Sequence, residues 1–205
     1  MKYSLTAASL FLAGLASATL NIDNWCTMDV YIYQNDDGTC DFGPNGICTS
    51  ASGAAPWVIP AGNGNPSVLD LDWINGSGTS VKISKTSDFN EGILQFEYTM
   101  GSTELYWDLS DLDGSGAGLV GTPFANDNVK VSTTGDGSGS GTCVKIRCAA
   151  GELCLDAYQN PDDNDTRSCP ADTGDMWVDL CEPTDQFNNK KRGARRARRA
   201  IAFKA

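Results

Sequence analysis

Eight cysteines constrain this chain more than any other feature of its sequence. They follow an apolar N-terminal segment, and an even number of cysteines in that setting indicates disulfide bonds. The spacing of the last four is not that of a zinc ribbon, and the chain has no histidine to complete a zinc site. The sequence therefore predicts four structural disulfides, with their pairing left open. The cysteines are Cys26, Cys40, Cys48, Cys143, Cys148, Cys154, Cys169 and Cys181.

Residues 1–18 have the organisation of a secretory signal peptide. Lys2 gives a positive start, residues 5–15 are apolar, and the small residues at 16–18 suit signal peptidase. A membrane anchor is the alternative, but the apolar run is short for a bilayer span. We expect cleavage after Ala18, a secreted extracellular product and no membrane span.

Charge divides the chain into an acidic body and a basic end. All 26 Asp and Glu residues lie between Asp23 and Asp185, and the segment 19–189 has only six basic residues, so its net charge is −20. A body of this charge repels the phosphates of nucleic acids, so we expect no nucleic-acid partner. Its partners are expected to be neutral, cationic or metal-bearing.

The tail, residues 190–205, contains eight Lys and Arg residues and no acidic residue. Paired basic residues are typical of cleavage sites for secretory-pathway proteases of the kexin type, which predicts processing at Arg192, Arg196 or Arg199. A nuclear or nucleic-acid-binding signal is an alternative that the N-terminal signal peptide disfavours. A retained tail that binds cell-wall anions or membrane is a third. We expect a processed or disordered tail and a single domain over 19–189.

Short β-branched and aromatic runs between Gly-rich turns predict a mainly β domain. The predicted strands are 29–34, 57–59, 68–73, 81–84, 93–99, 104–109, 128–133 and 143–147. The rest of the cysteine-rich region is predicted to be loops, with one short helix near 153–158. A β-sandwich and a barrel-like pair of sheets both fit this pattern.

Carboxylates are the main catalytic groups that the chain offers. The absence of histidine excludes Ser-His-Asp and Cys-His catalysis, and oxidised cysteines provide no thiol nucleophile. Paired carboxylates suit glycoside hydrolysis, and the candidates are Glu97, Asp108, Asp111 and Asp113. The alternative is a solvated acidic rim, which any protein this acidic presents.

Two acidic stretches resemble parts of calcium loops, the start of a loop at 111–114 and an acidic cluster at 162–165, and weak calcium binding at either is an alternative. No Glu closes an EF-hand loop at the required distance, and Asp and Asn favour turn and cap positions, so no metal and no cofactor are expected. Two N-glycosylation sequons predict surface positions for Asn75 and Asn164.

Several short motifs, none of them specific for a family by itself, occur together in a fixed order along the chain. They are NWC at 24–26, VYI at 30–32, SVKIS at 80–84, QFEYT at 95–99, YWDLSDLDG at 106–114 and DAYQNPDD at 156–163, followed by Thr166 and Cys169. Together they resemble the fungal yeast-phase-specific, or antigenic thaumatin-like, secreted proteins. The resemblance covers nearly all of the mature segment and implies a thaumatin-like β-sandwich with disulfide-rich loops.

The resemblance also implies an acidic cleft. Larger thaumatin-like proteins line it with an Arg, a Glu and three Asp, and some bind or slowly cleave β-1,3-glucan there. Matching positions in this chain are Glu97, Asp108 and Asp113. The cleft Arg has only a loose candidate in Lys85, and the third Asp has no match.

An incomplete cleft favours a non-catalytic role. We expect a secreted, monomeric protein of antigen or effector type that binds β-glucan or a host extracellular protein, at the cell wall or in the host's extracellular space. One alternative is a weak β-1,3-glucanase that uses Glu97 with Asp108 or Asp113. Another is an antimicrobial or toxin-like protein released from a precursor at the basic tail.

Overall fold

Alternating apolar and polar residues build two antiparallel-rich sheets. The computed structural model describes residues 19–188 except 77, 90, 113–122, 135–138 and 140. Within them the strands are β1 (Leu20–Asn24), β2 (Val30–Asp36), β3 (Asp41–Phe42), β4 (Trp57–Ile59), β5 (Ser67–Leu71), β6 (Thr79–Ser84), β7 (Leu94–Met100), β8 (Glu104–Ser110), β9 (Val129–Thr133), β10 (Ile146–Cys148), β11 (Arg167–Pro170) and β12 (Met176–Leu180). One short helix, α1, covers Thr184–Phe187.

The strands form a five-stranded and a seven-stranded sheet. The first has the order β10-β9-β12-β1-β5, and the second has the order β11-β8-β7-β6-β2-β3, with β4 also paired to β2. All pairs are antiparallel except β1 with β12. The strands that begin and end the domain are therefore neighbours in one sheet.

The core lies between the inner faces of the two sheets. Ile22 and Val178 face it from the five-stranded sheet, and Phe96, Trp107 and Leu109 face it from the seven-stranded sheet, all of them fully buried. Burying one such side chain contributes roughly 1.5–3 kcal/mol. Because side chains alternate along a strand, the residues between these apolar positions lie on the outer face. The two packed layers decide between the two predicted architectures in favour of the sandwich.

A buried ionic cluster ties the end of the domain to the five-stranded sheet. Lys130 on β9 contacts both Asp179 of β12 and Glu182, just beyond it. Both carboxyls are almost completely buried, and the indole of Trp25 donates a further hydrogen bond to Asp179. Buried charges persist only when paired, so Lys130 holds β12 against β9.

All eight cysteines are paired, as predicted. The bonds are Cys26–Cys181, Cys40–Cys48, Cys143–Cys169 and Cys148–Cys154. The first links the residues that follow β1 and β12, whereas the others close loops of the cysteine-rich segments. The Cys26–Cys181 bond is therefore expected to stabilise the folded state more than any other disulfide here, because it constrains the largest loop of the unfolded chain.

The mainly β prediction is confirmed, and each of the eight predicted strands overlaps a strand of the structure. The prediction of a helix near 153–158 is wrong: this segment is irregular, with a turn at 155–156 and a β-bridge from Tyr158 to Ser110, and the Cys148–Cys154 bond and contacts of Gln159 hold it. Strands β1, β3, β11 and β12 were not predicted. None of the helices in the described ranges has the length and apolar character needed to cross a membrane.

Candidate functional site

A groove of about 600 Å³ runs over the outer face of the seven-stranded sheet. Its floor is polar because the apolar residues of these strands point the other way, into the core. Ser80 and Lys82 of β6, Gln95 and Glu97 of β7, and Asp108 of β8 form this floor. The sandwich thus presents a row of hydrogen-bonding side chains on a rigid sheet.

Strand register brings two predicted site residues together. Glu97 is the direct antiparallel partner of Asp108. The side chains of such partners share one face, with their Cβ atoms about 5 Å apart. The pairing follows from the sequence on either side, since Phe96 and Tyr98 on β7 and Trp107 on β8 fill the core and fix the opposite direction for both carboxyls.

The surroundings of Asp108 favour its protonated form. Burial is the largest cause and the charges of Glu97 and Asp165 add to it, so the pKa of Asp108 rises from 3.8 to about 7 despite the opposing charge of Arg167. Its Oδ1 atom is buried and has no hydrogen-bond partner. This carboxyl can change its charge near neutral pH, and it can donate or accept a hydrogen bond.

Gln95 connects Glu97 to the neighbouring strand. Its amide nitrogen donates to Ser80 Oγ at 3.0 Å and to Glu97 Oε1 at 3.2 Å. The side chain is 7% exposed, and its Oε1 atom is buried without a hydrogen-bond partner. Sequence analysis missed Gln95, although its place two residues before Glu97 puts it on the same face of the strand.

Arg167 is a second functional candidate that sequence analysis missed. It begins β11, opposite Trp107, and its guanidinium binds Asp156 Oδ1 at 2.9 Å and the carbonyl oxygen of Asp165 at 2.7 Å. Its charge lowers the pKa of Asp108. One feature of the sequence could have identified it: Arg167 is the only basic residue between Arg147 and Lys190.

Lys85, the loose match for the cleft Arg, lies elsewhere. It forms an ion pair with Asp127, and its ammonium lies 4.9 Å from the ring centroid of Phe124. It is not among the residues that line the groove, whereas Lys82 is, paired with Asp41 at 2.9 Å. Asp113 falls outside the described residues.

Tyr106 gives the groove an aromatic rim. It is the cross-strand partner of Thr99, is 47% exposed, and hydrogen bonds to Glu104, which raises the pKa of its phenol. The other aromatic residues that line the groove, Tyr98 and Trp107, are almost completely buried. Tyr106 therefore offers the groove its most exposed aromatic ring.

The remaining acidic candidates have structural partners. Asp111 is largely buried, which raises its pKa, and it accepts a hydrogen bond from Gln159. Asp163 accepts backbone hydrogen bonds from Gln159 and Asn160, which lowers its pKa and gives it the predicted turn role. Over the part of the chain that the structure describes, no three His, Cys, Asp or Glu residues converge as a metal cluster.

Both predicted glycosylation sites, Asn75 and Asn164, are exposed and remain predictions. The signal peptide and the processing sites at Arg192, Arg196 and Arg199 lie outside the described residues.

Comparison with known proteins places most of the chain among fungal sequences. Residues 73–182 match the family described as Bys1, Blastomyces yeast-phase-specific protein. The antigenic thaumatin-like protein of Arthroderma benhamiae is 30% identical over 182 residues, covering 88% of this chain and 79% of that protein. The secreted thaumatin-like protein calA of Emericella nidulans is 36% identical over 124 residues, covering 58% of this chain and 66% of that protein.

Two solved structures resemble the fold. The protein elicitor MoHrip2 from Magnaporthe oryzae has a TM-score of 0.54 and 23% identity, covering 80% of this chain and 98% of that one. The thaumatin-like xylanase inhibitor TLXI has a TM-score of 0.47 and 13% identity, covering 80% of this chain and 99% of that one. The likeness to the elicitor shows a shared fold over the whole of that protein.

Proposed function

The chain belongs to the fungal Bys1 family of yeast-phase-specific, thaumatin-like proteins, and on this basis we propose that it binds a neutral polysaccharide of the β-glucan class without cleaving it. It has the thaumatin-like β-sandwich fold, and like its named relatives it is an extracellular protein. The proposed place of binding is the groove on the seven-stranded sheet.

The chemistry of the groove favours a neutral, hydroxyl-rich ligand. Its floor offers carboxylate, amide and hydroxyl groups, and the exposed ring of Tyr106 lies beside them. Such groups exchange hydrogen bonds with sugar hydroxyls, while an aromatic ring covers apolar surface of a sugar. The net charge of −20 over 19–189 disfavours anionic polymers. A neutral glucan meets these conditions.

The pairing of Glu97 with Asp108 carries the proposal that the groove binds a ligand. The two carboxyls rise from neighbouring strands on the same face of one sheet, so a chain in the groove meets both from the same side. Retaining glycosidases also hold their two carboxyls about 5 Å apart, so this spacing permits both binding and hydrolysis. The incomplete cleft supports binding without cleavage, since Lys85, the loose match for the cleft Arg, lies outside the groove.

Hydrolysis of β-1,3-glucan is the second candidate, and one observation favours it. The pKa of Asp108, about 7, is that of a carboxyl able to act as a general acid near neutral pH, with Glu97 as the ionised partner. A single assay that measures both binding and release of sugar distinguishes this candidate from the first.

The test is a pull-down of the secreted protein on insoluble β-1,3-glucan, with assay of released reducing sugar. Glu97→Gln, Asp108→Asn and Tyr106→Ala should each weaken binding, and Asp72→Asn is the matched control because Asp72 is exposed after β5 of the other sheet. Binding that the groove substitutions weaken, without release of sugar, supports the proposal. Release that depends on Asp108 supports hydrolysis. No binding overturns both and directs the search to host extracellular proteins.

A further inference from the structure

We propose that Gln95, Glu97 and Asp108 form a binding site for a calcium ion on the floor of the groove. This inference goes beyond polysaccharide binding and does not require it. It is independent of the two acidic stretches, 111–114 and 162–165, that resemble parts of calcium loops in the sequence.

Three oxygen-bearing side chains share one face of the sheet at neighbouring positions. Gln95 and Glu97 lie two residues apart on β7, so both point to the outer face, and Asp108 lies directly across from Glu97 on β8. All three line the groove. Residues two apart on a strand are roughly 7 Å apart, a distance that two side chains can span to reach a common ion.

Two of these oxygens are buried without a hydrogen-bond donor. Oε1 of Gln95 has no partner although the residue is 93% buried, and Oδ1 of Asp108 has none either. The amide nitrogen of Gln95 is already engaged by Ser80 and Glu97, which fixes the orientation of the amide. Buried acceptors without donors are costly, and a cation bound between them would compensate both oxygens at once.

The charges around the proposed site favour the binding of a cation. The negative charges of Glu97 and Asp165 act on Asp108, and Arg167 supplies the opposing positive charge. That guanidinium is held by Asp156, and the nearby ammonium of Lys82 is held by Asp41. A proton would satisfy one of the oxygens, whereas a metal ion coordinates all of them and screens the two carboxyls from each other.

Calcium fits this set of ligands better than magnesium does. Carboxylate and amide oxygens are hard ligands, and calcium accepts six to eight of them in a flexible geometry, including water. The groove is open enough for waters to complete the shell. Magnesium demands a nearly ideal octahedron, which three side chains on a sheet floor do not impose. Extracellular calcium modules bind with dissociation constants of roughly 10⁻⁴ to 10⁻³ M, and we expect this range here.

The experiment is a calorimetric titration of the full secreted protein with calcium chloride at about pH 8, above the pKa of Asp108. Glu97→Gln and Asp108→Asn should each weaken binding by about tenfold or more, since each removes a charged ligand. Gln95→Leu keeps both carboxyls and should weaken it several-fold. Asp72→Asn removes one negative charge outside the groove and should leave the affinity unchanged. Melting temperatures in EDTA show whether each variant is folded.

A second measurement needs no variant: terbium luminescence, sensitised by the aromatic side chains of the groove, should be saturable and displaced by calcium. The proposal is overturned if the wild type shows no saturable binding up to about 10 mM calcium, tenfold beyond the expected range. Tighter binding of magnesium also overturns it, because the site would then not prefer calcium. So does an equal loss of calcium affinity in Asp72→Asn and in the groove variants, because that result indicates a diffuse counterion atmosphere. The titration contains no carbohydrate, so its failure and the failure of glucan binding are separate results.

Discussion

Glu97 lies directly opposite Asp108 in the β7–β8 ladder, and both carboxyls face the same groove. The negative charge of Glu97 opposes ionisation of Asp108. Burial of Asp108 adds to the effect and accounts for the larger share of its raised pKa. The titration of Asp108 is therefore a direct report on the geometry of the groove.

Glu97→Gln should lower the pKa of Asp108 from about 7, because it removes the largest charge that opposes ionisation. The pKa should stay above 3.8, since burial remains. Carbon-13 NMR titration of the aspartate carboxyl groups in metal-free buffer measures the change. Arg167→Met should shift the same pKa in the opposite direction. Identical titration curves for all three proteins would contradict the described arrangement.

Asp108→Asn should remove a pH dependence of stability. The pKa of Asp108 is higher in the folded protein, about 7, than its ordinary 3.8, so the folded state binds the extra proton between these values. Its stabilising contribution is complete below about pH 4 and is lost as the pH rises through about 7. Relative to the variant, the wild type should lose about 2 kcal/mol over this range, a value reduced for partial exposure. Urea unfolding at a series of pH values measures it, and parallel stability curves would refute it.

Lys130→Met should destabilise the protein by about 3–5 kcal/mol, because it removes the cationic partner of two buried carboxyls, Asp179 and Glu182. Lys82→Met is the matched control: it breaks the partly exposed pair with Asp41 and should cost less than about 1 kcal/mol. Chemical denaturation compares the two variants. Equal losses would mean that Lys130 does not hold β12 as described.

Removing the Cys26–Cys181 bond should cost more than removing the Cys148–Cys154 bond. The first closes a separation of 155 residues and the second a separation of 6 residues. Loop entropy gives about 5 kcal/mol for the long loop and about 2 kcal/mol for the short one. Paired cysteine-to-alanine variants, compared by their unfolding midpoints, test the order. A larger loss for the short loop would show that local strain or packing outweighs chain entropy.

The strands that were predicted correctly are those that the local pattern of apolar and polar residues is sufficient to identify. The run 94–100 alternates core and groove residues, so its existence and its two faces follow from pattern alone. Strands β1 and β12 cannot be identified from such a pattern. All five residues of each are buried, and polar Asn21, Asp23 and Asp179 interrupt the apolar pattern because partners elsewhere in the fold compensate them.

The candidate site was predictable in part for the same reason. Family resemblance directed attention to Glu97 and Asp108, and antiparallel register then brought them together. Arg167 could not be assigned to the pair from sequence, because β11 joins β8 from some 60 residues further along the chain. Lys85 was a reasonable substitute by charge alone, but Asp127 engages it elsewhere.

The parallel pairing of β1 with β12 determines when the five-stranded sheet can form during secretion. In the five-stranded sheet β12 lies between β9 and β1, so this sheet cannot close until the last strand has emerged. A chain that crosses a membrane N-terminus first must keep Leu20–Asn24 unpaired along that edge while more than 150 residues follow. Contacts this distant in sequence form slowly. The five-stranded sheet is thus completed only after β12 has been made, and the disulfide between Cys26 and Cys181, formed with an external oxidant, then joins the ends of β1 and β12 covalently.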